Sequence, residues 1–141
     1  MRTMLAVVVA GAGLWISTVP VQGHHAFAAE FDVNRQVKFE GTVTKMEWSN
    51  PHIWIYVDVK RPNGKVEKWE IEGGAPNGLL RRGWTRNSLP PGTVIRVDGY
   101  GARDGSPKAN GREITFVDGR TLFVGSPGTG APDEAAPAQK K

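Results

Sequence analysis

The stretch that decides the fold is HIWIYVDVKRPNGKVEKWEIE, residues 52–72. Its first part alternates apolar and polar side chains, and the alternation resumes after a Pro-Asn-Gly sequence at residues 62–64. A period of two is typical of a strand that buries one face. Proline presets the first turn position, and glycine tolerates the left-handed backbone that closes a three-residue loop. The stretch therefore predicts a β-hairpin.

The loop also fixes the register of this hairpin. If Arg61 pairs with Lys65, two apolar pairs face the core: Ile55–Ile71 and Val57–Trp69. Three further pairs then lie on the outer face: Asp58–Lys68, Tyr56–Glu70 and Trp54–Glu72. A slip by one residue would move the apolar side chains to the wrong face. Turn chemistry and side-chain pattern thus agree on one register.

Further strands are predicted on both sides of the hairpin, at residues 37–48, 93–101, 112–117 and 121–124. A short helix is predicted at residues 76–83, with proline near its start and glycine at its end. The long first strand contains Gly41, where a sharp bend can pass. This order predicts a mainly β fold, a small five- to six-stranded OB-like barrel with one helix between strands 3 and 4. An immunoglobulin-like sandwich would need about seven strands and no internal helix.

The first 23 residues are predicted to be a signal peptide. Arg2 precedes an apolar run at residues 4–16, which is too short to span a bilayer, and Gly23 provides a small residue at the cut. A rival cut after Ala28 matches the small-x-small pattern more closely and would remove both N-terminal histidines. Cleavage after Gly23 is the preferred interpretation, and it predicts a periplasmic protein without a stable membrane span.

The mature chain is predicted to contain one domain. Residues 24–36 form an N-terminal arm, residues 37–125 the OB-like domain, and residues 126–141 a disordered tail rich in Gly, Pro and Ala. Without Arg2 the chain has 17 basic and 14 acidic residues, a net charge of +3 without a dense run of lysine or arginine. Because the chain is also predicted to be exported, nucleic acid is not expected as a partner. The absence of cysteine excludes disulfides and thiolate metal sites.

Five stretches carry a resemblance to a known family: HHAFAAEFD (24–32), GTVTKMEWSNPHIWIYVDV (41–59), PNGLLRRGWTRNSL (76–89), PPGTVIRVDGYGARDGS (90–106) and DGRTLFVGS (118–126). They resemble an uncharacterised family of small exported proteobacterial proteins, known as a domain of unknown function. The resemblance spans nearly the whole mature chain. It implies a periplasmic OB-like β domain and carries no established activity.

The chain contains three histidines, His24, His25 and His52. Cleavage after Gly23 would make His24 the first mature residue, with a free α-amine beside two imidazoles. Nitrogen donors of this kind suit copper(II) and zinc. His24 could chelate through its amine and ring, or His25 through the amine, a backbone amide and its ring. We therefore predict a copper(II) or zinc site; the alternative is an exposed terminus left by processing.

His52 begins the outer face of the hairpin, which continues with Trp54 and Tyr56. We predict His52 as the third metal ligand. Glu70 or Glu72, on the paired strand, would then serve as an accessory oxygen donor or would orient the imidazole. The alternative is that the His52 ring caps the turn that precedes it.

A metal-free interaction module is the rival function, holding a periplasmic protein or an anionic ligand. It would use the outer sheet face or a basic-aromatic segment, whose residues are Trp54, Tyr56, Arg81, Arg82, Trp84 and Arg86. Aromatic side chains beside cations suit such contacts. The same segment has a structural interpretation, in which Trp84 closes the end of the barrel.

Enzyme signatures are absent from the sequence. It contains no G-x-S-x-G motif, no H-E-x-x-H motif and no phosphate-binding loop, so no catalytic residue is predicted. A binding protein is the preferred interpretation. A copper-dependent oxidoreductase remains a third hypothesis, because a copper site with nitrogen ligands can also support oxygen chemistry.

Overall fold

The computed structural model describes residues 27–125. Six strands make up most of it: β1 (Phe31–Glu47), β2 (Trp54–Lys60), β3 (Val66–Glu72), β4 (Val94–Ala102), β5 (Lys108–Phe116) and β6 (Thr121–Phe123). Residues 27–30 are helical, and a second short helix, Pro76–Leu80, lies between β3 and β4. His24, His25, the predicted signal peptide and the predicted tail from residue 126 lie outside the described residues.

The strands close into a ring. β1 pairs with β2 on one edge and with β4 on the other, β2 pairs with β3, and β4 pairs with β5, all antiparallel. A parallel pairing of β3 with β5 completes the circuit, while β6 adds to the far part of β5. The mainly β, OB-like barrel with a helix between strands 3 and 4 is therefore confirmed. No helix within residues 27–125 is long and apolar enough to cross a membrane.

The hairpin has the predicted register. Arg61 N–H donates to the carbonyl of Lys65 at 2.8 Å, and Gly64 adopts φ 81° in the loop. Ile55 lies opposite Ile71 and Val57 opposite Trp69, on the core side. On the outer side Lys68 Nζ lies 3.4 Å from Asp58 Oδ1. Turn chemistry and alternation together were thus sufficient to set this half of the barrel.

Two strands begin earlier than predicted. β1 starts at Phe31, because its buried ring packs on Phe27, with ring centroids 5.7 Å apart, in a small cluster that also includes Tyr100. β5 starts at Lys108, because its first residues pair with β3, Lys108 lying opposite Glu70. Both extensions depend on contacts between segments distant in sequence, which a local pattern does not record.

Trp84 lies in the barrel core. Its side chain is fully buried together with Leu79, and its ring N–H donates to the carbonyl of Phe123 at 2.9 Å. The assignment of Trp84 to a ligand or partner surface is therefore wrong, and the structural interpretation of this segment is the correct one for this residue. The neighbouring arginines had given the segment the appearance of an exposed surface.

Gly41 lies next to Thr42, where the pairing of β1 with β2 begins. A Cβ atom at this position would approach the carbonyl oxygen of Asp58 to 2.7 Å and would also overlap the side chain of Val57. The strand can pass this close only because the residue has no side chain. The glycine predicted to mark a bend thus allows a close approach of β1 to β2.

Candidate metal centre at His52 and Glu72

The hairpin brings His52 and Glu72 together. His52 lies just before β2, and Glu72 is the last residue of β3, opposite Trp54. The imidazole Nδ1 of His52 pairs with the carboxylate Oε1 of Glu72. The His52 side chain is 32% exposed, whereas the Glu72 side chain is only 11% exposed. The imidazole ring is therefore bound to the protein through Nδ1, and part of the ring is open to solvent.

This contact assigns different roles to the two imidazole nitrogens. Because Nδ1 of His52 faces the carboxylate of Glu72, Nε2 is the nitrogen that can bind a ligand. A carboxylate behind a histidine fixes the ring orientation and makes the other nitrogen a better donor to a metal. Glu70, the other candidate, lies opposite Tyr56 and is exposed. Of the two glutamates, only Glu72 meets His52.

Burial raises the pKa of the Glu72 carboxyl above its ordinary value, and the negative charge of Glu30 acts in the same direction. The charge and hydrogen bond of His52 and the charge of Lys108 lower this pKa and offset the rise in part. The carboxylate is thus largely removed from solvent, and the positive groups beside it offset the effect of burial only in part. A cation bound near it would supply the missing charge.

The N-terminal end of the described chain docks beside this pair. Lys108 Nζ lies 2.9 Å from Glu30 Oε1 and 5.6 Å from the centre of the Trp54 ring, on the strand that follows His52. Arg103 N–H donates to the carbonyl of Glu30 at 2.9 Å. Glu30 and Lys108 were absent from the sequence-based candidates, because a contact between residues 78 positions apart leaves no local signal.

A buried aromatic contact anchors the same segment further upstream. Phe27 is 5% exposed and meets Tyr100 edge-on, with ring centroids 5.7 Å apart and planes at 88°. Edge-to-face pairs of this kind contribute about 0.5–1.5 kcal/mol beyond their buried area. His25 precedes Phe27 by two positions in the sequence. In the sequence, His24 and His25 thus lie shortly before a residue that is packed on the barrel.

The donors within the described residues do not complete a metal site. No group of three His, Cys, Asp or Glu side chains that could hold a metal ion occurs within residues 27–125. His52 supplies one free nitrogen and Glu72 a carboxylate behind it. The remaining predicted donors, His24 and His25, lie outside the described part of the chain.

A comparison with models of protein families identifies the family of this chain. The model described as Family of unknown function (DUF6152) matches residues 13–112, about 71% of the chain. The chain belongs to this family. The matched region includes all three histidines, Glu72 and Lys108, and the membership confirms the resemblance to a domain of unknown function. No curated protein matches this DUF6152 chain.

The other candidate residues make contacts within the domain. Lys45 Nζ lies 5.4 Å from the centre of the Tyr56 ring, whose hydroxyl donates to Glu47 at 3.2 Å. Arg82 donates to the carbonyl of Gly125 at 2.9 Å, and its guanidinium lies 4.8 Å from the centre of the Phe123 ring. Arg81 and Arg86 are exposed. Whether the Trp54–Tyr56 face or the Arg81–Arg86 segment holds a partner stays a prediction.

The buried carboxyl of Glu72 leads to a prediction for stability against pH. Because its pKa is raised in the folded protein, the native state holds this proton more tightly than the unfolded chain. This contribution to stability is complete below the ordinary pKa, 4.5, and is lost as pH rises through the raised value. Glutamine does not titrate, so the Glu72→Gln variant does not lose stability in this way as the pH rises. The free energy of unfolding of the variant minus that of wild type should therefore increase from acidic to neutral pH.

Urea unfolding of both proteins at several pH values between acidic and neutral measures this difference. Glu70→Gln is the matched control, since it removes an exposed carboxyl from the same strand and should give a nearly constant difference. A difference between Glu72→Gln and wild type that shrinks towards neutral pH would contradict the raised pKa.

Proposed function

We propose that the mature chain is an exported, periplasmic binding protein that holds copper(II) or zinc through His24, His25 and His52. The observation that carries the proposal is the His52–Glu72 pair beside the docked N-terminal segment. Nδ1 of His52 contacts the carboxylate of Glu72, and Nε2 can bind a ligand. The chain segment that leads to the other two histidines approaches the barrel at the same place.

The charges around the pair favour a cation. Glu72 is buried, and Glu30 adds a second carboxylate nearby, while Lys108 supplies the compensating positive charge in the metal-free protein. A divalent ion bound at Nε2 of His52 would add positive charge beside the same two carboxylates. Glu72 acts in this arrangement as the residue that orients His52 and balances charge, and the ligands are nitrogens.

The position of Phe27 supports cleavage upstream of it. A cut after Ala28 would remove a buried ring and leave Tyr100 without the edge-on contact. A cut after Gly23 keeps this anchor and makes His24 the terminal residue. The mature chain then has an α-amine and three imidazoles, and this set suits copper(II), which prefers a tetragonal arrangement of nitrogen ligands. Zinc accepts the same donors in a tetrahedral arrangement.

Intact-mass analysis and copper titration of the exported protein test the proposal. The mass should correspond to a chain that begins at His24, and the protein should bind one equivalent of copper(II). The electron paramagnetic resonance spectrum should show nitrogen hyperfine coupling from imidazole. A chain prepared to begin at Ala29 is the control and should bind copper(II) weakly.

Two outcomes would contradict the proposal: an exported chain that begins at Ala29, or a chain that begins at His24 without stoichiometric copper or zinc binding. If copper binds, incubation of the loaded protein with a reductant and oxygen separates two of the hypotheses. A carrier should show no sustained oxygen consumption, whereas a copper-dependent oxidoreductase should turn over.

A further inference from the structure

β1 has an open edge near its middle. One edge of the strand pairs with β4 from Gln36 to Thr42, whereas the other pairs with β2 only from Thr42 to Glu47. Within the described part of the chain, residues 36–41 therefore have a strand partner on one side only. The open side borders a groove of about 670 Å³, which is lined by residues 38–42 of β1 and, across from them, by residues 58–61.

The backbone of this edge is ready to pair with another strand. Val43 N–H donates to Thr93 O at 2.8 Å and Val43 O accepts from Gly92 N–H at 2.7 Å, so both groups point towards the β4 side. Backbone groups alternate in direction along a strand, and no register shift separates Gln36 from Val43. The N–H and C=O groups of Lys38 and Glu40 therefore point to the open edge. An unpaired edge of this kind is a template for strand addition.

The exposed side chains along the edge carry a specific charge pattern. Lys38 Nζ lies 3.1 Å from Asp98 Oδ2 on β4, and Glu40 lies opposite Arg96 in the β1–β4 register. Positive Lys38 and negative Glu40 are separated by Phe39, so they are placed symmetrically about it. The pattern is complementary to itself when the strand is reversed.

We propose that two copies of the chain associate through this edge, with β1 antiparallel to β1 about a two-fold axis at Phe39. Lys38 of each copy then lies opposite Glu40 of the second copy, and the contact occurs twice, as in any isologous interface. Across the four strands the charges alternate: Asp98, Lys38, then Glu40 and Arg96 of the second copy. Opposite charges in directly facing positions stabilise a strand pair, and like charges destabilise it. This pairing does not depend on metal binding.

The groove beside the edge favours the same pairing. Two of its apolar side chains are partly exposed, Val66 at 48% and Val94 at 37%. A second copy seated along β1 would cover part of this apolar surface. The paired segment is short, so the expected dimer is weak and forms with rising protein concentration.

Sedimentation equilibrium of the mature chain, from micromolar to several hundred micromolar, tests the proposal. Wild type should dimerise reversibly. Lys38→Glu and Glu40→Lys should each raise the dimer dissociation constant by about tenfold, because like charges face each other twice. A one-to-one mixture of the two variants should dimerise again, since every facing pair in the mixed dimer has opposite charges.

Lys68→Glu is the matched control, because it reverses an exposed lysine that also pairs with a carboxylate, Asp58, at 3.4 Å. It should leave the dimer unchanged. Near-ultraviolet circular dichroism verifies that each variant is folded. If a reversal unfolds the chain, Lys38→Gln and Glu40→Gln replace it, and each should weaken the dimer by a few-fold. A monomeric wild type, folded variants that associate like wild type, or a mixture that stays monomeric would overturn the proposal.

Discussion

Replacing Trp84 by alanine is expected to lower the free energy of unfolding by about 3–5 kcal/mol, the usual effect of removing a large aromatic side chain from a core. The ring is 0% exposed, packs with Leu79, and donates to the carbonyl of Phe123. The substitution therefore leaves a cavity and an unpaired carbonyl group. For a domain of this size the change corresponds to a fall in Tm of about 12 °C or more.

Urea unfolding monitored by far-ultraviolet circular dichroism measures this effect. Leu80→Ala is the matched control, because Leu80 lies in the same segment and is 52% exposed. That variant should stay within about 0.5 kcal/mol of wild type, as is usual for surface positions. Trp84→Phe retains most of the volume and loses the hydrogen bond, so it should fall between the two.

The outcome also separates two interpretations of the Arg81–Arg86 segment. If Trp84 belonged to a ligand surface, its loss would change ligand binding and leave stability near that of wild type. The buried ring instead predicts a loss of stability. In the same segment, Arg82 donates a hydrogen bond to the carbonyl of Gly125. A Trp84→Ala variant as stable as Leu80→Ala would contradict the packing described above.

The hairpin could be predicted because several local signals agree. The Pro-Asn-Gly loop sets which residues pair, and the alternation of Ile55 and Val57 with polar neighbours sets which face is buried. The same register places Glu72 opposite Trp54, next to His52. The His52–Glu72 contact could therefore be predicted from the sequence, because it depends on two strands that are joined by one short loop.

The remainder of the site could not be predicted from the sequence. Glu30 meets Lys108 only because the N-terminal segment docks where β5 begins, and both positions are set by contacts across the barrel. Phe27 and Phe31 similarly form a buried cluster with Tyr100, which lies on a strand distant in sequence. Side chains on a local stretch predict which face is buried, but they do not identify a partner on a distant strand.

The location of the site follows from the closure of the barrel. β3 and β5 meet in parallel over Glu70 to Glu72, which places Lys108 and the end of the hairpin at the same rim. The N-terminal segment reaches that rim through Phe27 and Glu30. A ligand bound at His52 would thus lie beside three separate parts of the chain, and its binding to the folded state would raise the stability of the domain.

Removing the imidazoles of His24, His25 and His52 together is expected to abolish specific copper(II) binding by the mature protein. The triple alanine variant should lose more than the roughly 10–100-fold in affinity that loss of an outer-shell partner costs. Glu72→Gln tests that smaller effect. It keeps the shape of the side chain but removes the carboxylate that faces Nδ1 of His52, so its affinity should fall by about 10–100-fold.

Copper titration in competition with a chelator of known affinity measures these changes, and Glu70→Gln is the control. Glu70 lies on the same strand but opposite Tyr56, so its substitution should change affinity by no more than a few-fold. A triple variant with wild-type affinity would place the copper elsewhere on the chain. A triple variant that fails to bind, together with a Glu72→Gln variant that binds like wild type, would retain the histidine site and reject the role of Glu72. Because the carboxylate of Glu72 contacts the imidazole of His52 and is itself no ligand, we expect the affinities to fall in the order wild type, Glu72→Gln, triple alanine variant.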